Sequence, residues 1–398
     1  MSVSRRKFVA GVAAAPLLSG VAAQASSARV DADRFDPWLE IDARALEDNV
    51  EAVSKLAGGR PILAVVKNNA YGLGLTTVAP ILERLPEVKG FAVVKTAEAL
   101  ALREAGITKP VLLLALFSAA DGPELVRQGV ELSLCTDDAA DRVAAAAKKV
   151  GQRAEAQIYL DTGMSRMGIP WHRASPALER IASQDIGING TFMGFTEEAD
   201  FDRVQLERFL RVTRSAQEAG VSLGPLHAAS SHAVFGFPAA HLDQVRPGIA
   251  LFGAYPSGSD EERAAAVLRP ALRLKARVVR VEKLRSGDSV SYGRNYVADK
   301  PTWIATVPVG HTDGMPRKAV DGARVLVNGS TYPVIGAVSA SHTIIELGDE
   351  QRARIGDVAT LLGPDDDAIH PNTFAAATGT SVYDRLMHLN PQLPKVVI

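Results

Sequence analysis

The sequence contains very little cysteine. Cys135 is the single cysteine among 398 residues, so an internal disulfide and a cysteine-rich metal site are both excluded. It lies in the apolar stretch ELSLC, where a small buried hydrophobic side chain is the expected role. Its position therefore predicts packing and not chemistry.

The sequence also lacks an excess of charge of either sign. Lysine and arginine total 44 and aspartate and glutamate 45, which leaves a net charge of -1. This balance gives no electrostatic reason to expect nucleic acid or an anionic membrane surface as a partner. At 47% hydrophobic and 22% charged residues, the chain is typical of a globular protein long enough for two domains.

No apolar run near the N-terminus is long enough to span a membrane comfortably. The stretch FVAGVAAAPLLSGVAA is short and is interrupted by glycine and by Pro16. Arg5 and Arg6 precede it, and the small residues AQA at 23–25 follow it as a cleavage signal. Residues 1–28 are therefore predicted to be a twin-arginine export signal, with an ordinary Sec signal as the alternative. We expect a periplasmic protein that has no membrane segment once the signal is removed.

From Pro61 onward, short apolar segments alternate with helical patterns. Such nearly continuous apolar segments are typical of parallel strands covered by helices. Eight of them predict a (β/α)₈ TIM-type barrel over residues 35–262, although the seventh is a weak strand on its own. The predicted strands are PILAVVK (61–67), GFAVVK (90–95), PVLLLAL (110–116), ELSLC (131–135), EAQIYLD (155–161), INGTFMG (188–194), GPLHAAS (224–230) and VRPGIALFG (245–253).

The pattern changes after Arg263. Segments such as ARVLVNGSTYPVIGAVS are rich in β-forming residues, and Asn328 followed by Gly329 is a two-residue hairpin signal. Residues 263–398 are thus predicted to form a second, mostly antiparallel β domain. A short strand within 37–49 precedes the barrel and is compatible with pairing in either domain.

Unusual polar residues fall at the predicted carboxyl ends of the barrel strands, where such barrels carry their active sites. Each has an ordinary explanation when taken alone; a lysine can extend its charge to solvent, and a histidine can be a satisfied core residue. Their shared placement nevertheless predicts one active site. The set comprises Lys67, Asp161, Arg166, His227, Ser230, Ser231, Arg246 and Gly248.

The chemistry of this set points to one cofactor. Lys67 follows AVV, and partial burial would lower the pKa of its amine and favour Schiff-base formation. The loops after strands 7 and 8 usually bind phosphate in this barrel, and here they offer Ser230, Ser231 and the amide of Gly248. A reactive lysine beside a phosphate site is what pyridoxal 5'-phosphate requires.

Six motifs in order resemble the alanine racemase family. They are AVVKNNAYGLG, LDTGMSRMG, HAASSHAVFGFP, VRPGIALFG, SVSYGRNY and ATVPVGHTDGMPR. The resemblance runs from about Trp38 to the C-terminus. It implies a pyridoxal-phosphate enzyme with an N-terminal barrel and a C-terminal β domain, which converts amino acids between their L and D forms.

The resemblance also implies roles for individual residues. Lys67 matches the Schiff-base lysine, which is also one of two acid/base groups, and Tyr292 matches the tyrosine that acts from the opposite face. Arg246 matches the arginine that bonds the pyridine nitrogen, and His227 matches the histidine that supports it. Because the family's tyrosine comes from the second subunit, a homodimer with shared active sites is implied.

Further residues match the family's cofactor and substrate positions. Arg166 matches an arginine near the cofactor oxygen and the substrate carboxylate, and Ala340 matches a residue that lines the substrate site. No metal ligand is implied. The phosphate-site positions correspond to Tyr71, Ser231, Gly248, Ile249 and Tyr383.

At five positions the chain departs from the family pattern. Tyr159 replaces a lysine that becomes carbamylated and supports the arginine at Arg166. Gly194 replaces a histidine beside the catalytic tyrosine, and Ala340 replaces a methionine of the substrate site. Ser341 replaces an aspartate and His311 a tyrosine of the entrance. The smaller side chains predict a roomier pocket and a broader or altered substrate range.

Two alternative functions remain compatible with the sequence. One is another pyridoxal-phosphate enzyme of this barrel class, such as a D-amino-acid lyase or decarboxylase. Metal-dependent members of that class use a C-terminal cysteine, and no cysteine follows Cys135. The other is a cofactor-binding homologue with little turnover, against which the retention of Lys67 and Tyr292 argues.

Overall fold

The computed structural model describes residues 34–398, so the predicted export signal at 1–28 lies outside the described residues. Its α-helices span Ala43–Leu56, Leu75–Glu83, Thr96–Glu104, Gly122–Arg127, Ala139–Val150, Ala174–Ala182, Ala199–Glu218, Ser231–Gly236, Asp260–Ala265, Pro371–Ala377 and Val382–Met387. Short 3₁₀ helices span Trp171–Arg173, Pro238–Ala240, Ile249–Phe252, Tyr292–Arg294, Arg317–Asp321 and Asp367–Ile369.

The strands divide between two large sheets and one small hairpin. They are β1 (Trp38–Ile41), β2 (Ile62–Val65), β3 (Val88–Val93), β4 (Val111–Leu113), β5 (Val130–Leu134), β6 (Ala154–Asp161), β7 (Ile169–Pro170), β8 (Ile186–Phe192), β9 (Leu226–His227), β10 (Leu272–Arg277), β11 (Arg280–Leu284), β12 (Ser289–Val290), β13 (Tyr296–Val297), β14 (Thr302–Val307), β15 (Arg324–Val327), β16 (Ser330–Ile335), β17 (Thr343–Gly348), β18 (Val358–Leu362) and β19 (Lys395–Val397).

The first sheet is a curled parallel sheet in the order β2-β3-β4-β5-β6-β8-β9. Its strands are short and almost wholly buried because helices cover one face and side chains fill the interior. The helices at Thr96–Glu104, Ala139–Val150 and Ala199–Glu218 lie between barrel strands, as the predicted alternation requires. The barrel prediction is confirmed.

The predicted eighth strand, VRPGIALFG, is only partly a strand. The backbone around Val245 forms single parallel bridges with β2 and β9 and thereby closes the ring. Pro247 has no amide hydrogen, so the ladder cannot continue through it. The chain then turns at Gly248, and Ile249–Phe252 forms a 3₁₀ helix. The prediction of a strand to residue 253 was therefore wrong beyond Pro247.

The second sheet has nine strands in the order β11-β14-β17-β16-β15-β18-β10-β1-β19. All neighbours are antiparallel except β1 and β19. The early strand β1 pairs with β10, so it belongs to this sheet and not to the barrel. Asn328 and Gly329 form the predicted hairpin turn between β15 and β16, with φ of 49° and 76°.

The C-terminal segment returns to the barrel and packs beside Lys67. The Asn68 side-chain amide lies 3.4 Å from the sulfur of Met387. The rings of Tyr71 and Tyr383 are 6.2 Å apart. This contact carries a residue from the end of the chain to the mouth of the barrel.

Cys135 has a free, buried thiol. Burial raises its pKa to about 11, as expected of a packing residue.

Among residues 34–398, no helix has both the length and the apolar character needed to cross a membrane.

Candidate active site

Lys67 lies two residues beyond the end of β2, and the backbone after it adopts a left-handed conformation. The next four residues, Asn68, Asn69, Ala70 and Tyr71, have φ of 53°, 58°, 50° and 54°. A left-handed conformation costs about 1–2 kcal/mol for each residue that carries a side chain. The surrounding structure must therefore hold this turn in place.

Specific hydrogen bonds hold the left-handed turn. The amide of Asn69 donates to the Glu98 carboxylate at 3.0 Å. The Asn69 side chain in turn accepts from the amide of Leu75 at 2.8 Å, where the next helix begins. Glu98 lies on the helix after β3, so the neighbouring βα unit fixes the position of the lysine at the end of β2.

The environment of Lys67 lowers the pKa of its amine. Burial is the largest cause, and the positive charges of Arg166 and Arg246 act in the same direction. The carboxylates of Glu197 and Glu98 oppose this effect. The uncharged amine, which is the nucleophilic and proton-accepting form, is more accessible here than in solvent.

Two loops meet the left-handed turn at Tyr71 and form a candidate anion site, which is called the anion site below. The Ser231 hydroxyl accepts from the amides of Gly248 and Ala250 at 2.9 and 3.3 Å. A side chain at residue 248 would collide with the Tyr71 hydroxyl, so the close approach requires glycine. The Ser230 hydroxyl is buried and has no hydrogen-bond partner within residues 34–398. An unpartnered buried hydroxyl fits a bound acceptor such as a phosphate.

The two tyrosines of this site remain protonated. Burial raises the pKa of both Tyr71 and Tyr383, and the Glu197 charge adds to the effect. Each phenol therefore keeps its O–H and can donate to an anion.

Hydrogen bonds hold Arg246 in place at the carboxyl end of the barrel. Its Nη1 donates to the Nδ1 and carbonyl oxygen of His227, both at 2.8 Å, and its Nη2 donates to the Met193 carbonyl at 2.6 Å. Its guanidinium carbon lies 5.2 Å from the centre of the Phe192 ring. Burial lowers the pKa of Arg246 to about 10, so it stays charged at neutral pH. Burial and the Arg246 charge together hold the pKa of His227 well below its usual range, so the imidazole is neutral.

Tyr159 occupies part of the interior space near Arg246. It is buried, and its ring stacks on that of Phe192 with a centroid separation of 4.4 Å. A methyl group added at Gly194 would lie 3.7 Å from the Tyr159 hydroxyl oxygen. The Tyr159 side chain therefore lies next to Gly194, where the family pattern has a histidine. It fills part of the volume that the histidine side chain would occupy.

The structure does not bring Tyr292 to Lys67 within one chain. Tyr292 is 77% exposed, in a turn between β12 and β13. The Ser291 hydroxyl ties this turn to the carbonyl of Ala337 at 2.7 Å. His311 and Ala340 are exposed on two adjacent loops. The amide of His311 donates to the Ser339 carbonyl, and the amide and hydroxyl of Thr312 donate to the Ala340 carbonyl. No hydrogen bond within residues 34–398 joins Tyr292 to Lys67. A single chain therefore brings together Lys67, the Ser231 loop and Arg246, while Tyr292 remains exposed.

Sequence reasoning missed Glu197. Its φ is 65°, and its amide donates to the buried Asp202 carboxylate at 3.1 Å. Its charge opposes the fall in the pKa of Lys67 and adds to the rise that burial causes in the pKa of Tyr71 and Tyr383. The acidic pair in FTEEAD resembles a helix start, and Glu198 does cap the helix at Ala199–Glu218. Because the pair was consistent with a helix start, the sequence offered no separate indication that Glu197 belongs to the site.

Comparison with known proteins identifies the family. Residues 41–256 match the family profile described as alanine racemase, N-terminal domain, and residues 271–397 match alanine racemase, C-terminal domain. The chain belongs to the alanine racemase family.

Individual relatives cover nearly the whole described chain. Alanine racemase of Desulforamulus reducens is 32% identical over 368 residues, which span 91% of this chain and 98% of the relative. Alanine racemase of Carboxydothermus hydrogenoformans is 33% identical, over 91% of this chain and 99% of the relative.

Solved structures of the family have the same fold. Alanine racemase of Streptomyces coelicolor A3(2) superposes with a TM-score of 0.83 at 30% identity, covering 91% of this chain and 98% of that one. Alanine racemase of Bacillus anthracis with bound L-Ala-P has a TM-score of 0.81 at 31% identity, covering 92% and 95%.

Alanine racemases depend on pyridoxal phosphate, and the residues of this chain fit that cofactor. Ser230 offers an unused buried hydroxyl, and the glycine at 248 keeps the anion site open. Lys67 provides an amine of lowered pKa, and Arg246 provides a fixed cation. These are the groups that a phosphate, an aldehyde and a ring nitrogen would engage.

Proposed function

We propose that this protein is an exported, pyridoxal-phosphate-dependent racemase that interconverts L- and D-amino acids, with a range that extends beyond alanine. The observation that carries the reaction is the assembly of Lys67, Arg246 and the anion site at one end of the barrel. Family membership supports the same reaction.

The bound cofactor supplies delocalisation of the charge that forms when the α-proton leaves an amino acid. Lys67 takes or returns that proton at Nζ on one face, and its lowered pKa makes the proton-accepting form accessible. Tyr71, Ser230, Ser231 and the backbone at Gly248 would hold the phosphate. These residues would thereby fix the orientation of the reacting carbon relative to Nζ.

Arg246 would face the pyridine nitrogen. As a fixed, charged donor, it would offer the nitrogen a hydrogen bond, and its charge would disfavour a second positive charge there. The neutral His227 and the Met193 carbonyl keep the guanidinium from moving. Arg166, exposed in the loop after β6, would meet the substrate carboxylate.

Inversion requires a second acid/base group on the opposite face, and we propose that Tyr292 of a second subunit provides it. The 77% exposure of Tyr292 in the single chain supports this arrangement. The functional unit would then be a homodimer in which each site uses residues from both chains.

The smaller side chain at Ala340 leads us to expect activity on amino acids larger than alanine. Purified mature protein would be incubated with single L-amino acids in D₂O, and each product analysed by chiral separation and α-deuterium content. We expect D-enantiomers carrying α-deuterium from several larger amino acids, at rates comparable with alanine. The Ala340→Met variant restores bulk, and it should lose the larger substrates while keeping alanine.

Two outcomes of this experiment would count against the proposals. Turnover of alanine far above every larger amino acid, unchanged by Ala340→Met, would contradict the broad range. Deuterium uptake without inversion would mean that only one face of the substrate is served, and would contradict racemisation itself.

Export is proposed from Arg5 and Arg6 together with the apolar stretch that follows them. In a bacterial host, we expect the full-length chain to appear in the periplasm in a shortened form. Changing Arg5 and Arg6 together to lysine should leave it unprocessed in the cytoplasm, since the paired arginines define the twin-arginine signal. Continued export of the lysine variant would instead indicate the Sec route.

A further inference from the structure

A line of buried polar side chains crosses the barrel from Arg246 to Glu131. Arg246 Nη1 lies 2.8 Å from His227 Nδ1, and His227 Nε2 lies 2.7 Å from Gln157 Oε1. Gln157 Nε2 lies 2.5 Å from Glu131 Oε2. The four side chains are between 0% and 8% exposed, so they depend on one another for hydrogen bonds.

The chemistry of the two ends fixes the direction of every bond between them. Arginine has donors and no acceptor, so His227 Nδ1 must accept and the ring proton must sit on Nε2. The Nε2–H then needs an acceptor, which is the carbonyl oxygen of the Gln157 amide. That orientation points the Gln157 NH₂ at Glu131, and an ionised carboxylate accepts only. All donation therefore runs from Arg246 towards Glu131.

Glu131 is suited to be the last acceptor in this line of hydrogen bonds. Its other oxygen accepts from the side-chain amide of Asn189 at 2.9 Å, so both carboxylate oxygens receive donors. Burial raises the pKa of Glu131, while the hydrogen bonds from Asn189 and Gln157 oppose that rise. A neutral group at residue 131 could donate as well as accept, and the Gln157 amide would then be free to reverse.

We propose that Glu131 and Gln157 are positioning residues for the racemase site: they fix the Nε2–H tautomer of His227 and so keep its Nδ1 as an acceptor for Arg246. Arg246 would then present its Nε–H, for which residues 34–398 supply no hydrogen-bond partner, to the cofactor's ring nitrogen in one orientation. This last step rests on the proposed function, whereas the tautomer itself does not. Neither residue touches substrate or cofactor; each acts through the next member of the chain.

The tautomer is measured directly by ¹⁵N NMR of the whole protein labelled at histidine, with and without pyridoxal phosphate. His227 is one of eight histidines, and its signals are assigned by their loss in His227→Asn. In the unmodified protein we expect a neutral ring with the proton on Nε2 that does not titrate between about pH 6 and 9. A proton on Nδ1, or a charged ring, would overturn the proposal without any variant being needed.

The variant series distinguishes positioning from a merely structural role. Glu131→Gln keeps the size of the side chain and removes the acceptor-only group. Gln157→Leu removes the hydrogen bonds in the middle of the line between His227 and Glu131. Both are expected to broaden or divide the His227 signals. Both should also weaken pyridoxal-phosphate binding at least about tenfold, as loss of an outer support does at other sites, and change the absorption spectrum of the bound cofactor.

Asn189→Ala is the matched control. It removes the other donor to Glu131 but keeps every hydrogen bond between Glu131 and Arg246. It should therefore retain the His227 tautomer and the cofactor spectrum. Equal effects of Asn189→Ala and Glu131→Gln would reduce Glu131 to a structural role, as would an unchanged tautomer in Glu131→Gln. If the tautomer responds as expected but no amino acid is racemised, the proposed function fails and the tautomer assignment stands.

Discussion

Replacing Lys67 by alanine is expected to abolish racemisation. The change removes both the amine that attaches the cofactor and the acid/base group on one face of the substrate. General acid/base catalysis alone contributes about 10²–10⁴-fold, and loss of attachment adds to that deficit. The rate is measured by chiral separation, and attachment is measured by the absorption of protein-bound pyridoxal phosphate. Both signals should disappear together.

The chain contains a well-matched control for this experiment. The tetrapeptide AVVK occurs at 64–67 and again at 92–95, in each case at the end of a barrel strand. Lys67 is half-buried, whereas Lys95 is exposed. Lys95→Ala should therefore keep the activity and the cofactor spectrum of the unmodified protein. Activity surviving in Lys67→Ala, or lost equally in Lys95→Ala, would show that Lys67 is not the reacting amine.

Replacing Tyr292 by phenylalanine is expected to reduce racemisation by about 10²–10⁴-fold while leaving the cofactor bound. Only the hydroxyl that exchanges a proton on the second face is removed. Exchange of α-deuterium from the face served by Lys67 should persist, so deuterium uptake should exceed inversion. Tyr296→Phe, four residues away on β13, is the matched control and should retain the rate.

Mixing two inactive variants tests whether the sites are shared. Lys67→Ala and Tyr292→Phe chains, unfolded and refolded together in equal amounts, would form hybrid dimers with one doubly defective site and one intact site. Since half of the dimers are hybrids under random pairing, about a quarter of the unmodified activity should return. No recovery, with hybrid dimers shown to form, would place both groups within one chain and contradict the shared-site proposal.

Much of the fold follows from local pattern. Short apolar segments alternating with amphipathic stretches predict a parallel barrel, because only strands covered on both faces are apolar throughout. The hairpin at Asn328 follows equally locally, since two residues with positive φ suffice to define it. The eighth barrel segment did not follow, because one proline within an apolar run decides how far the ladder extends.

Some residues of the site were also predictable from local pattern, and others were not. Lys67, His227, Ser231 and Arg246 are predictable because the carboxyl ends of barrel strands meet at one rim. Glu131 and Gln157 carry no such signal, since they are polar residues in the middle of mostly apolar strands. Their roles depend on donors and acceptors that meet only when β5, β6 and β9 come together in the barrel.

The two AVVK segments separate what each level decides. Local pattern alone predicts that each is a strand followed by a lysine at the same rim, because four identical residues have identical local preferences. The two lysines become different when the chain packs. Four left-handed residues, held by Glu98, turn Lys67 into the barrel mouth beside Arg246, where burial and neighbouring charges lower the pKa of its amine. Lys95 precedes an ordinary helix and remains in solvent. Burial and the positions of neighbouring charges are properties of the packed chain, and they are what distinguish a reactive amine from a solvated one.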